Sequence, residues 1–156
     1  MKKLLLSALL LAGSACLPVA AAGAHGPQAI GPKTRDPVCG MYAARYPNWM
    51  SEIVLKDGNI VAFDSPLHLF RYRRDPGKYG AGRAASDIDA IYFSDYLERR
   101  WVEAQKAYFV AGSRVRSPMN AEDLPAFGSR TTAERFAREQ GGRVLSFDQI
   151  SPQVLQ

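Results

Sequence analysis

The chain has 156 residues, a formal net charge of +5, and 47% hydrophobic residues against 22% charged ones. This composition is typical of a single globular domain that can bury a core without disulfide bonds. The arginines are spread along the chain rather than grouped, so the positive charge does not indicate a nucleic-acid-binding surface.

Residues 1–24 have the pattern of an export signal peptide. Two lysines precede an apolar stretch over residues 4–17, which is too short to span a bilayer comfortably. The small residues Ala22-Gly23-Ala24 then fit a signal-peptidase site. Cleavage after Ala24 would release the mature chain into the periplasm with His25 as its first residue.

An alternative processing route stays open at Cys16. The segment Gly13-Ser14-Ala15-Cys16 resembles a lipobox, although Gly13 stands where Leu is usual. Lipidation of Cys16 would anchor the exported protein to a membrane. Under either route Cys16 does not serve the folded domain, so Cys39 is the one thiol left for structure or chemistry.

The mature chain begins with a leader and continues into a first half-domain. Residues 25–35 contain two Gly-Pro pairs and no apolar periodicity, which predicts a flexible leader. Within the first half-domain, residues 36–104, Asp57-Gly58 is a hairpin signal, and Ser65-Pro66 predicts a helix start with Ser65 as N-cap. Strands are predicted at residues 51–55, 60–63 and 90–93, and a Gly-rich surface loop at 75–87.

The second half-domain, residues 105–156, repeats this order of elements. A strand is predicted at 107–111 and another at 143–147. Between them, Thr131 and Glu134 have the spacing of a capping box, which predicts a helix with Thr131 as its N-cap.

The two halves also resemble each other residue by residue. Val61-Ala62-Phe63-Asp64-Ser65 matches Pro125-Ala126-Phe127-Gly128-Ser129, and Cys39-Gly40-Met41 roughly parallels Ser117-Pro118-Met119. Chance similarity is the alternative explanation. The predicted fold is α+β, with two similar ββαβ-type halves packed as one domain, and the two Met-bearing segments are expected to meet near the boundary between the halves.

Cys39 and Met41 are the first candidates for metal ligands. In an extended segment, residues two apart project to the same face, so the thiolate and the thioether can converge on one ion. This pair of soft donors favours Cu(I). Met119 follows Pro118 in a loop-like stretch, with core filling as the alternative, and His68 falls in the first turn of a helix, whose positive end favours a neutral, metal-binding imidazole.

Several segments resemble the NosL family, in the same order and over about residues 36–150. These are Asp36-Pro37-Val38-Cys39-Gly40-Met41, Phe63-Asp64-Ser65-Pro66, Ala107-Tyr108-Phe109-Val110-Ala111-Gly112-Ser113, Ser117-Pro118-Met119, and Gly141-Gly142-Arg143-Val144-Leu145-Ser146-Phe147 with Phe136-Ala137 before it. The chain departs from the family pattern at Asn120, where Gly usually follows Pro-Met.

The resemblance implies a periplasmic accessory protein, usually a lipoprotein, that serves nitrous-oxide reductase maturation in denitrification. Such a protein would bind Cu(I) and pass it, through a membrane transporter complex, toward the copper centre of the reductase. The implied fold is similar to that of organomercurial lyase. Carried onto this chain, the implied ligands are Cys39, Met41, Met119 and His68.

Three functions therefore remain open at the level of sequence. The leading hypothesis is a copper chaperone without enzymatic activity, which transfers Cu(I) by ligand exchange from a site of low coordination. The alternatives are a thiol-dependent lyase for organometal substrates and a periplasmic interaction domain in which Cys39 is a buried core residue.

Overall fold

The computed structural model describes residues 25–79 and 84–156. The predicted signal peptide, with Cys16 and the cleavage site after Ala24, lies outside the described residues. In the part of the chain that is described, neither helix is long and apolar enough to cross a membrane.

The first antiparallel sheet has four strands in the order β2-β1-β3-β4. Gly58, with φ of +81°, closes the predicted hairpin between the first two strands, because glycine adopts this backbone conformation without strain. The elements are β1 (Ser51–Leu55), β2 (Ile60–Phe63), helix α1 (Pro66–Arg74), β3 (Ile88–Ser94) and β4 (Trp101–Glu103).

The second antiparallel sheet has three strands in the order β6-β5-β7. Its elements are β5 (Tyr108–Ala111), β6 (Ala126–Phe127), helix α2 (Arg130–Gln140) and β7 (Arg143–Ser146). In both sheets the first strand in sequence pairs with the second and the third, and the helix connects the second to the third. The mixed α+β prediction is confirmed; the half-domain boundaries and the likeness to organomercurial lyase stay predictions.

Short 3₁₀ helices occupy several connections. Two of them, Pro76–Tyr79 and Ala85–Asp87, lie within the predicted surface loop, of which residues 80–83 are outside the described residues. The others are Ala43–Arg45, Ala104–Lys106 and Phe147–Gln149.

One aromatic core joins the two halves. Phe93 of β3 and Phe109 of β5 meet edge to face with ring centroids 4.8 Å apart, and Phe70 of α1 contacts both. Such pairs add to the hydrophobic free energy of burial. On the opposite face of the second sheet, Phe127 and Phe136 form a smaller cluster beneath α2.

The N-caps of the helices test the predicted helix starts. Ser65 caps α1 by accepting a hydrogen bond from the His68 N–H, as predicted. The prediction of Thr131 as N-cap of α2 is wrong, since Ser129 occupies that position and accepts from the Thr132 N–H at 3.4 Å. The helix starts earlier because the chain turns directly from β6 into α2, as it does from β2 into α1.

The leader lies against the outer face of the first sheet. The backbone N–H of Gln28 donates to Glu52 Oε1 at 2.7 Å, and the Tyr92 hydroxyl donates to the carbonyl of His25 at 3.0 Å. His25 Nδ1 also lies 2.9 Å from Asp89 Oδ2. These contacts fix where the leader docks, while its flexibility stays a prediction.

Candidate metal centre

Cys39 lies in a tight turn that its own backbone closes. The Asp36 N–H donates to the Met41 carbonyl at 2.8 Å, and the Gly40 N–H donates back to the Asp36 carbonyl at 2.8 Å. The expectation of an extended segment is therefore wrong here, and alternation of side chains does not bring Met41 to Cys39. Instead, the Met41 backbone N–H donates to Cys39 Sγ at 3.4 Å.

Four side chains with metal-binding atoms meet at this turn. Single donor atoms from Asp36, Cys39, Asp64 and His68 all lie within 4.8 Å of one another, and we call these four residues the Cys39 cluster. Asp64 stands between the end of β2 and the start of α1, and His68 follows it by one helical turn. The strand-to-helix junction thus brings two members to the turn that carries the other two.

Hydrogen bonds fix the imidazole of His68 from one side. Its Nδ1 lies 2.9 Å from Asp36 Oδ2 and 3.0 Å from Asp64 Oδ1. Asp36 is itself held, because it accepts the backbone N–H groups of Val38 and Asp64 at 2.7 and 3.0 Å. Carboxylates bound to one imidazole nitrogen orient the ring and leave Nε2 as the nitrogen that can bind a metal ion.

The two carboxylates overturn the predicted protonation state of His68. Burial acts to lower the pKa of His68, but the hydrogen bonds and charges of Asp36 and Asp64 outweigh it and raise the pKa to about 9. Burial raises the pKa of Asp36, whereas the hydrogen bonds from His68 and Asp36 overcome burial and lower the pKa of Asp64. The metal-free imidazole is therefore cationic at neutral pH and not neutral, as its place at a helix N-terminus suggested.

Cys39 is a neutral thiol in the metal-free protein. Burial raises the pKa of Cys39 to about 12, and the negative charges of Asp36 and Asp64 add to this effect against the Met41 N–H. The Sγ atom is 3.6 Å from Asp64 Oδ2, the acceptor of its proton. Because a metal ion binds the thiolate, binding here has to displace a proton.

Met119 is half exposed rather than part of the core, with 47% of its surface accessible. Residues 117–123, the Met119 loop, form a turn in which the Asn120 N–H donates to the Ser117 carbonyl at 2.8 Å. Asn120 adopts a φ of +54°, which asparagine tolerates better than most residues. The departure from Gly at this position is thus accommodated by a left-handed turn.

Met119 and His68 line the same cavity. It has a volume of about 420 Å³, and its wall also includes Leu67, Arg71 and Asp123. The structure therefore places His68 beside Cys39 and also in the wall of the cavity that Met119 lines. Met41 contributes a backbone contact to the Cys39 cluster, and its side chain is half buried.

Three acidic residues at the site were not predicted from the sequence. Asp36 and Asp64 belong to the Cys39 cluster, and Asp123 accepts hydrogen bonds from the Leu67 N–H and from the Ser65 hydroxyl. Burial raises the pKa of Asp123 despite these hydrogen bonds. The spacing of Asp64 and His68, four residues apart across a helix start, is the one sequence signal that could have indicated their contact.

The donor atoms suit a transition metal. With bonds of about 2.0 Å to nitrogen and 2.3 Å to sulfur, donors on opposite sides of an ion stand about 4 to 4.6 Å apart. The donor atoms of the Cys39 cluster lie within 4.8 Å of one another, which is compatible with this span after small adjustments. Thiolate and imidazole serve zinc and copper alike, whereas an added thioether shifts the preference toward Cu(I).

Comparisons with known proteins identify what this chain is similar to. The family model described as NosL matches residues 27–155. Two curated relatives are both called "Copper-binding lipoprotein NosL". The relative from Achromobacter cycloclastes is 30% identical, and the match covers 80% of this chain and 67% of the relative. The relative from Stutzerimonas stutzeri is 27% identical, and the match covers 76% of this chain and 63% of the relative.

A solved structure has a similar fold. The crystal structure of the copper chaperone NosL from Shewanella denitrificans matches with a TM-score of 0.69 and 26% identity, over 82% of this chain and 97% of the other. These names are those of copper-binding proteins and a chaperone rather than of enzymes.

Proposed function

Because this chain belongs to the NosL family, we propose that it is a copper chaperone that binds Cu(I) and delivers it for assembly of the copper centre of nitrous-oxide reductase. The observation that carries the proposal is the Cys39 cluster, in which a half-buried thiol and a ring nitrogen of a buried imidazole lie within 4.8 Å of each other. The cavity shared by His68 and Met119 supports it, since it offers a further sulfur donor beside the cluster.

We propose four copper ligands: Cys39, His68, Met119 and Met41. Cys39 supplies the thiolate and His68 supplies Nε2, while Met119 supplies a thioether from the cavity. Met41 is the fourth member of the proposed set, and its N–H already favours the thiolate by hydrogen bonding to the sulfur. Two or three of these donors hold the ion at one time, which favours Cu(I) and leaves a position open to an incoming donor.

Transfer then follows from ligand exchange. When Cu(I) enters, the Cys39 proton leaves, and the Asp64 carboxylate at 3.6 Å is placed to accept it. Sulfur or imidazole donors of a partner approach from the exposed side of Met119 and replace the ligands in turn. The partner in this proposal is a copper-accepting membrane transporter complex, with the reductase as the final recipient.

Export and anchoring complete the proposal. The chain is exported to the periplasm, and the names of both curated relatives favour lipidation at Cys16 over cleavage after Ala24. Mass spectrometry of the protein from membranes decides between the routes, because only the first leaves an acylated Cys16 as the N-terminal residue.

The test of binding compares Cys39→Ser with Met50→Leu, a control that removes a sulfur atom from a residue outside the proposed ligand set. Each protein competes with a chromophoric chelator for Cu(I) under anaerobic conditions, and a parallel series with Zn(II) measures selectivity. We expect Cys39→Ser to lose at least about 100-fold in Cu(I) affinity, because it removes the one charged soft ligand. Met50→Leu should bind Cu(I) with the affinity of the parent. An unchanged Cu(I) affinity in Cys39→Ser would contradict the proposal.

Oxidation state and delivery need separate measurements. The X-ray absorption edge of the loaded protein distinguishes Cu(I) from Cu(II), and its fine structure counts sulfur against nitrogen neighbours. Delivery is measured as the copper content of nitrous-oxide reductase purified from cells that make either the parent or Cys39→Ser. A fully loaded reductase in the variant cells would contradict delivery while leaving binding intact.

A further inference from the structure

We propose that Asp123 is the positioning residue of the copper site: it fastens the Met119 loop to the N-terminus of α1, so that the thioether faces the cavity it shares with His68. The inference rests on the proposed function, and it concerns how the second half of the chain is held against the first. Asp123 does not touch the metal in this proposal.

Each oxygen of Asp123 accepts hydrogen bonds from neighbouring chain segments. Oδ1 accepts from the Leu67 N–H at 3.0 Å and from the Leu124 N–H at 2.7 Å, and Oδ2 accepts from the Ser65 hydroxyl. The Leu67 N–H is in the first turn of α1, where the helix itself offers no acceptor. A residue 56 positions away therefore completes the cap of this helix.

The contact continues to the imidazole-bearing residue. Ser65 Oγ donates to Asp123 and accepts from the His68 N–H at 3.3 Å. One chain of hydrogen bonds thus connects the Met119 loop to the backbone of His68. A change at Asp123 moves the loop relative to α1, and with it the thioether relative to the imidazole.

Other contacts of the Met119 loop are weaker anchors. The ion pair between Arg116 and Glu122 is exposed and its closest atoms are 3.6 Å apart, and such surface pairs contribute about 0 to 1 kcal/mol. The turn at Asn120 shapes the loop but does not attach it to α1. Asp123, only 5% exposed, is a buried attachment that accepts hydrogen bonds from α1 and its N-cap with both oxygens.

Asp95 offers a matched control at a distance from the cavity. It is also buried, and it accepts the N–H groups of Leu97, Glu98 and Gly128 at 3.0, 3.0 and 2.8 Å. Like Asp123, it connects the two halves through a carboxylate with three donors. Replacing either aspartate by asparagine removes the same chemical group from a similar environment.

The experiment measures sulfur neighbours of bound Cu(I) by X-ray absorption, together with Cu(I) affinity, in Asp123→Asn and Asp95→Asn. Asp123→Asn should lose one sulfur neighbour and about 10-fold in affinity, the range typical for residues that orient metal ligands. Asp95→Asn should keep the parental sulfur count. In a Met119→Leu background, Asp123→Asn should cause little further loss, because the ligand it positions is already absent.

Three results would overturn the inference: a parental sulfur count in Asp123→Asn, an equal loss in Asp95→Asn, or a full additional loss in the Met119→Leu background. Circular dichroism checks the fold of each variant. If Asp123→Asn does not fold, Ser65→Ala, which removes the donor to Oδ2 together with the N-cap bond from the His68 N–H, must show the same loss of a sulfur neighbour. Failure of the proposed function is separate, since it would appear as absence of Cys39-dependent Cu(I) binding in the parent.

Discussion

The junctions β2–α1 and β6–α2 share a backbone plan and differ in their side chains. Each strand ends in phenylalanine, one residue follows, and a serine caps the helix: Ser65 in the first junction and Ser129 in the second. The intervening residue is Asp64 in the first and Gly128 in the second. The fold therefore supplies the same turn twice, and only the first copy carries metal-binding side chains.

The surroundings explain why the second junction holds no acid. A Cβ atom at Gly128 would lie 3.1 Å from Arg100 Nη2 and 3.1 Å from Val102 Cγ2, so the extra strand β4 fills the space next to it. At the first junction the Asp64 side chain meets the turn of Cys39 instead, with Oδ2 3.6 Å from Cys39 Sγ. The comparison teaches that the two junctions differ in what lies beside them, a loop with metal-binding side chains at the first and a strand at the second.

The largest expected effect comes from removing the imidazole from the first junction. His68→Gln leaves the buried carboxylates of Asp36 and Asp64 without their cation, which should lower the free energy of unfolding by about 3 kcal/mol at pH 7. Thr132 is the residue at the same place in α2, and Thr132→Val should change stability by no more than about 0.5 kcal/mol. Urea denaturation of the metal-free proteins measures both.

A second substitution tests whether the unpaired carboxylates cause this loss of stability. Adding Asp36→Asn to His68→Gln removes one of the two unpaired charges, so the double variant should be more stable than His68→Gln alone. Equal stability of the single and double variants would mean that the carboxylates do not require the cation, and that the junctions differ less than their side chains indicate.

The next effect is the pH dependence of stability that a buried glutamate, Glu52, gives to β1. The corresponding position in β5, the first strand of the second half, is Phe109. Glu52 of β1 pairs with Ala62, and Phe109 of β5 pairs with Ala126, yet only Phe109 is apolar. Burial raises the pKa of Glu52 to about 7 from an ordinary value of 4.5, although the Gln28 N–H opposes this. Its Oε2 has no hydrogen-bond partner among the described residues.

The raised pKa of Glu52 makes the stability of the protein depend on pH. Folding favours the protonated Glu52, so its stabilising contribution is complete below pH 4.5 and is lost as the pH rises through 7. Between about pH 5 and pH 8 the loss should be about 2 to 3 kcal/mol, since a change of one in a pKa corresponds to about 1.4 kcal/mol. Glu52→Gln should remove this part of the pH dependence and be more stable than the parent at pH 8. Parallel stability curves for the two proteins between pH 5 and 8 would contradict the shift.

Local signals in the sequence were sufficient for much of the fold. Asp57-Gly58 and Ser65-Pro66 act through neighbouring backbone, and the hairpin and the start of α1 are confirmed. The short strands β4 and β6 were not predicted, because two or three residues become a strand only when a distant strand pairs with them. The N-cap of α2 also depends on a distant contact. The residues around Thr131 have a local capping pattern, but the position of β6 determines that α2 starts after Ser129.

The site shows the same division between local and distant information. Cys39, His68 and Met119 were singled out by residue type, and the structure brings the first two together. The charge of His68 was mispredicted because the helix dipole is local, whereas Asp36 acts from 32 positions away. Buried acids are rare, so apart from the four-residue spacing of Asp64 and His68 no local pattern indicates that these acids lie beside the imidazole.

The smallest expected difference lies between the two capping serines. Ser129→Ala removes one N-cap hydrogen bond and should cost about 1 kcal/mol. Ser65→Ala removes the equivalent bond and also leaves the buried Asp123 Oδ2 without its donor, which adds about 1 kcal/mol or more. Chemical denaturation should therefore rank Ser65→Ala below Ser129→Ala, and combining it with Asp123→Asn should cost less than the sum. If the two serines cost the same, the hydrogen bond from Ser65 to Asp123 contributes nothing to stability, and the two capping serines are energetically alike despite their different partners.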